Sequence, residues 1–364
     1  MHKLRLLLLG WLPACVAFTQ SVCLAPRYTS TDWFTLLTRS TIGSALSLSV
    51  EGATNVHPLL ADPPKTTQYT QHEGYFTGFT AYRGRVRWGD WHLTYGWELA
   101  EAYEGNNGAV RLYLEANQDQ LDPSTGYPVS ATLNRSAVSR FALDYRGQTA
   151  QNAWHVVYSV GIQGAFLRRV QQGTLVGTKS GDQFVGRLTL ESTRDVPPNQ
   201  RGGFHLGLDV MLVAHSDSGW SVGIAVENLW GFSSVRRVQR IEAQVSANRF
   251  EPDSEGFLRG APLLEGTTRS KRLSRVAEPY LHMGVVAPVG RALRSTLIAE
   301  HIERWRWGVG LTELRNWWAI VWVEPSALQI GYRQPGWQLT LGLDHPNPQQ
   351  AKVLTVELGI SLVR

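Results

Sequence analysis

Charged side chains recur at every second position in several segments of this chain, where they alternate with apolar ones. Arg83, Arg85 and Arg87 form the densest row, and three cations on one enclosed face need acidic partners or an anionic ligand. The same pattern supplies the remaining charged candidates: Glu98, Arg111, Glu115, Arg140, Asp144, Arg187 and Glu191. Charges of this kind can bind a ligand or set the selectivity of a pore. The alternative is a mixed-sign interior whose charges pair with one another and only fill or hydrate it.

Patterns for catalysis or metal binding are weak in this sequence. His72, His301 and His345 lack a dependable ligand spacing such as His-Glu-x-x-His. No Gly-x-Ser-x-Gly elbow positions a serine nucleophile. We therefore expect no enzyme activity, no metal site and no cofactor.

The elements that carry these charges are predicted β-strands, because side chains on a strand point to opposite faces with period two. The alternation is clearest in the last forty residues, where it assigns Thr340, Asp344 and Glu357 to the polar face. It assigns four residues to an apolar face that would contact lipid: Leu339, Leu341, Val356 and Leu358.

Strand length and strand number predict a membrane-spanning architecture. We expect about 14 strands, mostly of the roughly 9–11 residues that a tilted transmembrane strand requires. Several begin with an aromatic residue, as at a membrane interface: Trp91, Trp154, Phe204, Trp220 and Trp337. The connections 52–73, 117–137 and 229–278 are long, and no apolar run is long enough for a spanning helix. The prediction is an all-β, antiparallel, up-and-down transmembrane β-barrel with long outer loops.

The N-terminus is typical of a secretory signal. Lys3 and Arg5 precede a short apolar core, and Cys15-Val16-Ala17 is a suitable cleavage site, with a later site near Ala25 as the alternative. We assign residues 1–25 to the signal peptide and 26–364 to a single barrel domain with an N-terminal segment of about 26–42. A second interpretation is lipidation of Cys15, because Leu12-Pro13-Ala14-Cys15 resembles a lipobox.

Charge and cysteine content exclude several classes of partner and site. The net charge of +5 includes Lys3 and Arg5 of the predicted signal and is too small to favour nucleic acid. Cys15 and Cys23 both lie in or beside that signal, so we expect neither a disulfide scaffold nor a thiolate metal site. The basic 229–278 connection is a candidate for binding lipopolysaccharide phosphates or a secretion partner.

Short motifs in the second half of the chain resemble a known superfamily. The segment Gly223-Ile224-Ala225-Val226-Glu227-Asn228-Leu229 is similar to a strand end in barrels related to the long-chain fatty-acid transporter of the outer membrane. The segment Glu278–Val285 resembles the proline-led strand that follows there. This superfamily includes barrels associated with type IX secretion and conjugal transfer. Arg364 departs from its pattern, because such chains usually end in an aromatic residue.

The resemblance and the barrel pattern together imply a protein of the bacterial outer membrane, with outer-membrane lipid as a partner. We expect passive transport or binding of a small solute, controlled by lumen charges and an N-terminal or loop plug, or a role as the membrane partner of an export system. One alternative is a structural barrel with a plugged lumen and no flux. Another is a periplasmic or secreted all-β binding protein, soluble or lipid-anchored.

Overall fold

The structure is a computed structural model, and its helices and strands are named here in chain order. It describes residues 22, 24–39, 44–54, 74–117, 124–181, 183–194, 196–197, 202–247, 250–252, 258–260, 263–290, 293–302, 304–313, 316–323, 326–347 and 350–361. The described helices are α1 (Ser30–Arg39) and α2 (Asn107–Asn117). The strands are β1 (Ala45–Thr54), β2 (Gly74–Trp88), β3 (Trp91–Gly105), β4 (Gly126–Gln151), β5 (Trp154–Ser180), β6 (Gln183–Ser192), β7 (Gly203–Ser216), β8 (Ser221–Ala247), β9 (Phe250–Pro252), β10 (Leu258–Gly260), β11 (Leu263–Val276), β12 (Tyr280–Val289), β13 (Leu293–Ile302), β14 (Arg304–Glu313), β15 (Trp317–Val323), β16 (Ser326–Gln334), β17 (Trp337–Leu343) and β18 (Val353–Ser361).

Within these residues, fourteen strands form a closed antiparallel barrel. The wall runs from β1 to β5, continues through β7 and β8, and then follows β12 to β18. The last strand pairs with the first, from Ala45 opposite Ser361 to Ala53 opposite Val353, so the barrel wall has no open edge. The predicted fold class is therefore confirmed.

Three strands continue beyond the barrel wall and build an extension at one end. β4, β5 and β8 are 26 or 27 residues long. The C-terminal part of β5 pairs with β6, and both β6 and β11 pair with β8. The predicted long connection at 229–278 is therefore wrong in part: β8 runs on to Ala247, and β11 forms from Leu263. Likewise β4 begins at Gly126, inside the predicted connection 117–137.

The two ends of the barrel differ. Tight turns at Gly89-Asp90, Asn152-Ala153 and Pro335-Gly336 join strands at one end, which we call the short-turn end. Gly89 has a φ of 60° there, a left-handed conformation that glycine adopts without a steric penalty. The opposite end, which carries the strand extension, is called the extended end. No helix among the described residues is long and apolar enough to cross a membrane.

The outer surface of the barrel carries an apolar band with aromatic rings at both borders. Trp91, Trp154 and Trp337 begin β3, β5 and β17 at the short-turn end, and each is at least 40% exposed. Phe204 lies at the other border, where it pairs with Phe166 of β5. Aromatic girdles in these positions are typical of transmembrane barrels. The four predicted lipid-facing residues lie on the outer face: Leu339, Leu341, Val356 and Leu358. Of these, Leu341 and Leu358 are exposed.

The inside of the barrel is filled by the N-terminal part of the chain. Residues 22 and 24–39, called the plug, cross the lumen, and α1 closes the short-turn end. Thr29 caps this helix, since its hydroxyl accepts a hydrogen bond from the Asp32 N–H at 3.1 Å. Trp33 and Leu37 are fully buried against the inner wall.

The plug includes positions that were assigned to the predicted signal peptide. Val22, Leu24 and Ala25 are buried inside the barrel. Cys15 and most of the predicted signal lie outside the described residues, so cleavage and lipidation remain predictions.

Candidate functional site

The extended part of the plug is attached to the barrel wall through its own backbone. The carbonyl of Ala25 accepts a hydrogen bond from Arg140 Nη2 at 2.7 Å, and the carbonyl of Arg27 accepts one from Arg83 Nη1 at 2.9 Å. At Leu24, the carbonyl and the N–H both bond the hydroxyl of Tyr280. Buried backbone groups of an irregular segment need such partners, and wall side chains supply them here.

Arg27 is the centre of the contact between plug and wall. Its guanidinium pairs with Asp144 and, at 2.8 Å, with Asp209. The backbone N–H groups of Arg27 and Tyr28 donate to the two carboxylate oxygens of Glu227, at 2.6 and 2.8 Å. Burial alone would lower the pKa of Arg27, but Tyr28, Asp209 and Glu227 together hold that pKa above its ordinary value. The guanidinium is therefore charged, and acidic groups from three wall strands surround it.

The structure separates the three arginines of the predicted row. Arg83 pairs with Glu98 at 3.0 Å, and the second oxygen of Glu98 lies 3.1 Å from Arg140. Arg85 pairs with Asp32 of α1 at 3.3 Å. Arg87 is exposed at the short-turn end, where its Nε donates to the Gly89 carbonyl. The partners that this row requires thus come from a neighbouring strand and from the plug.

The ion pair with Arg85 changes the pKa of Asp32. Burial favours the neutral acid, but the charge and hydrogen bond of Arg85 outweigh it, so the pKa of Asp32 lies below its ordinary value. The carboxylate is therefore ionised at neutral pH and ties α1 to β2.

A second buried network was not predicted from the sequence. His282 Nε2 lies 3.2 Å from Glu227, and His282 Nδ1 lies 3.5 Å from Glu300. Arg306 contacts both Glu300 and Glu51. The sequence feature that could have indicated it is the alternation in β12, which places His282 on the same face as Tyr280. No cluster of potential metal ligands is found in the part of the chain that the structure describes.

Two candidates lie on a helix where a strand was predicted. Arg111 and Glu115 belong to α2 and form an ion pair of 2.7 Å, with the i,i+4 spacing of neighbours on a helix. Asn106 caps this helix by accepting a hydrogen bond from the Ala109 N–H at 2.9 Å. The short alternation at 110–115 misled the prediction, because a run of six residues fits either period.

Three further assignments to the barrel lumen need correction. Arg187 is exposed on β6, a strand of the extension. Glu191 is buried on the same strand and forms ion pairs with Arg240 at 3.3 Å and with Lys271. Asp344 lies in the bend after β17, where it accepts the backbone N–H of Lys352. The alternation of apolar and polar residues indicated that these side chains lie on a polar face. It could not indicate that they lie outside the barrel wall.

The extended end contains an apolar pocket of about 280 Å³ beneath α2. The sheet side of the pocket is formed by Leu133, Leu175 and Leu188, and the helix contributes Leu112. Tyr103 lines one side and shares its strand face with the outward-pointing Trp97. The pocket therefore opens on the outer surface of the wall, beyond the apolar band. Sequence reasoning missed it because α2 forms one of its sides.

Comparisons with known proteins find only weak similarity. No protein-family model and no curated protein matches the chain. A similar solved structure is the toluene transporter TodX of Pseudomonas putida, with 8% identity and a TM-score of 0.25 over 94% of this chain and 93% of TodX. The deltaS2S3 mutant of the TodX monoaromatic hydrocarbon channel has 9% identity and a TM-score of 0.26, with 94% of each chain covered. Identities and TM-scores this low carry no conclusion about the family or function of this chain.

Proposed function

We propose that this protein is a barrel of the bacterial outer membrane that captures small apolar solutes in the pocket on the outer side of its extended end, from which they enter the lumen and pass the plug. The pocket beneath α2 is the observation that carries this proposal. The closed wall and the apolar outer band support the membrane location, because a band of this extent would favour aggregation in water.

The size and lining of the pocket favour a compact, uncharged solute. An engineered apolar cavity of about 150 Å³ binds benzene, so about 280 Å³ can hold a substituted aromatic ring or a short alkyl chain. The leucine side chains from α2 and the sheet provide burial, which contributes roughly 25 cal/mol per Å² of apolar surface. The charges of the lumen lie elsewhere, in contact with the plug.

Pocket variants test solute capture. Leu175→Arg places a charge in the pocket, whereas Val176→Arg places the same charge on the opposite face of the same strand, where Val176 is 57% exposed. We expect Leu175→Arg to slow uptake of radiolabelled toluene into cells at least about tenfold, since a charged side chain replaces part of the apolar lining and takes up space in the pocket. Val176→Arg should retain wild-type uptake. Equal loss in both variants, or no uptake above cells lacking the protein, would contradict the proposal.

A permanently plugged structural barrel is the second candidate. The ion pairs of Arg27 favour it, because removing a charged segment from such partners is costly. Planar-bilayer recordings and uptake measurements separate the candidates. A barrel that never conducts and never accelerates uptake would be structural. We expect rare openings and a measurable uptake rate. Heat-modifiable gel mobility and fractionation with the outer membrane test the location that both candidates require.

A further inference from the structure

Two β-bulges in the wall each turn a pair of consecutive arginines to the outer face. The first lies between β4 and β5, where Ala137 pairs with Arg169 and Val138 pairs with Leu167, so that Arg168 is an extra residue. Ala137 also pairs with Leu99, which shares its strand face with the outward-pointing Trp97. A bulge sets two residues opposite one, so Arg168 and Arg169 both lie on the outer side.

The second bulge repeats this arrangement on β8. Lys271 pairs with Val238 and Leu273 with Val235, which leaves Arg236 and Arg237 opposite Arg272 of β11. Leu273 and Val235 are buried in the interior, so the residues between the pairs point outward. Arg236, Arg237 and Arg272 are exposed.

Both bulges lie at the same height on the wall. Gly203 of β7 pairs with Leu167 on one side and Val235 on the other, so the two arginine pairs flank the start of β7. Neighbouring strands lie about 4.8 Å apart, which separates the two pairs by roughly 10 Å. The Arg236 N–H donates to the Gly202 carbonyl at 3.0 Å, and Gly202 places no side chain between them.

The arginines border the apolar band directly. Phe166 and Phe204 lie one row nearer to the short-turn end, on the same outer face, and Phe232 packs beside Phe204. We call Arg168, Arg169, Arg236, Arg237 and Arg272 the arginine belt. Short turns of outer-membrane barrels lie on the periplasmic side, so in the proposed location the belt would face the headgroups of the outer leaflet.

Three of the five belt arginines have no acidic partner among the described residues. No described acidic side chain forms an ion pair with Arg168, Arg169 or Arg236. The Nε of Arg169 is buried without a hydrogen-bond partner among the described residues. Other basic residues of the region point inward: Arg240 and Lys271 pair with Glu191. The belt is therefore a different set from the basic 229–278 connection as a whole.

We propose that the arginine belt binds the phosphate groups of the outer-leaflet glycolipid, lipopolysaccharide, while its acyl chains cover the aromatic border below. Guanidinium groups bind phosphate through paired, charge-assisted hydrogen bonds. Charge complementarity and continuity with the apolar band support this occupant. The inference rests on the proposed outer-membrane location, but not on solute uptake.

The test uses purified full-length protein in detergent and purified lipid A, with and without its phosphates. Arg168→Gln combined with Arg236→Gln removes two belt charges. The matched control is Arg87→Gln combined with Arg187→Gln, which removes two exposed charges away from the belt. Binding is measured by native mass spectrometry, and heat-modifiable mobility verifies that each variant is folded.

We expect the belt variant to bind bisphosphorylated lipid A about tenfold more weakly than wild type, and the control to remain within about twofold. Removing the phosphates from the lipid should weaken binding by wild type to a similar degree. Equal affinities for the belt variant and the control, or for the two lipids, would overturn the inference. Leu175→Arg should still bind lipid A, so failed solute capture can be distinguished from failed lipid binding.

Discussion

Arg27→Ala should loosen the attachment of the plug to the barrel wall. The substitution removes the cation that neutralises Asp144 and Asp209, while both carboxylates stay buried in the wall. The backbone bonds from Arg27 and Tyr28 to Glu227 do not involve the Arg27 side chain, so they hold the plug while it is in place and break only when it is released. We therefore expect local release of residues 24–29 and no loss of the barrel.

The magnitude follows from the cost of leaving a buried charge unpaired. Breaking a buried ion pair typically costs about 3–5 kcal/mol. If this cost falls on the plugged state alone, the equilibrium between plugged and open barrels shifts by roughly two to four powers of ten. Asp32→Asn, which removes a less buried pair with Arg85, should produce a smaller shift.

Single-channel recording in planar bilayers measures the shift as a change in open probability. We expect frequent openings for Arg27→Ala, fewer for Asp32→Asn and rare ones for wild type. The informative control combines Arg27→Met with Asp144→Asn and Asp209→Asn, which removes the unpaired carboxylates together with the cation. That triple variant should open less often than Arg27→Ala, because no charge is left buried without a partner.

Two results would refute this reasoning. One is an Arg27→Ala barrel that stays as closed as wild type while heat-modifiable mobility shows that it is folded. The other is a triple variant that opens as often as Arg27→Ala, which would mean that side-chain volume rather than charge holds the plug.

Three further predictions concern processing, pH and the lipid face. Mass spectrometry of the mature protein should find cleavage after Ala17, because cleavage at Ala25 would remove buried plug residues; a mature chain that starts after Ala25 would contradict the plug geometry. The Asp32 pair should stabilise the plug fully above the ordinary carboxyl pKa of about 4, and the contribution should disappear as pH falls through the lowered pKa of Asp32. The open probabilities of wild type and Asp32→Asn should therefore differ at pH 7 and converge in strong acid. A difference that stays constant with pH would show that the Asp32 ion pair does not hold the plug. If Leu341 lies near the bilayer midplane, Leu341→Arg should lower the free energy of unfolding in liposomes, measured with urea, by about 2–4 kcal/mol. An effect no larger than that of Leu341→Ala would show that this side chain does not face the lipid near the midplane.

The local alternation of apolar and polar residues was sufficient to predict the strands of the barrel wall. The alternation in β17 and β18 separates Leu341 and Leu358 from Thr340 and Glu357, and the structure has these pairs on opposite faces. Period two depends only on backbone geometry, so it can be read without knowledge of neighbouring strands. The same reasoning failed at 110–115, where a helix fits the same few residues.

The sequence by itself determined the class of fold and the two faces of regular strands such as β17 and β18, because strand geometry is local. The tertiary structure decided what the inward charges do. Arg85 meets Asp32 and Arg27 meets Asp144 only because the plug returns through the lumen, across separations of 53 and 117 residues. It also decided that Arg168 and Arg169 share one face, because a bulge is defined by the pairing of two strands. Contacts between distant parts of the chain depend on closure of the barrel, and no local period encodes them.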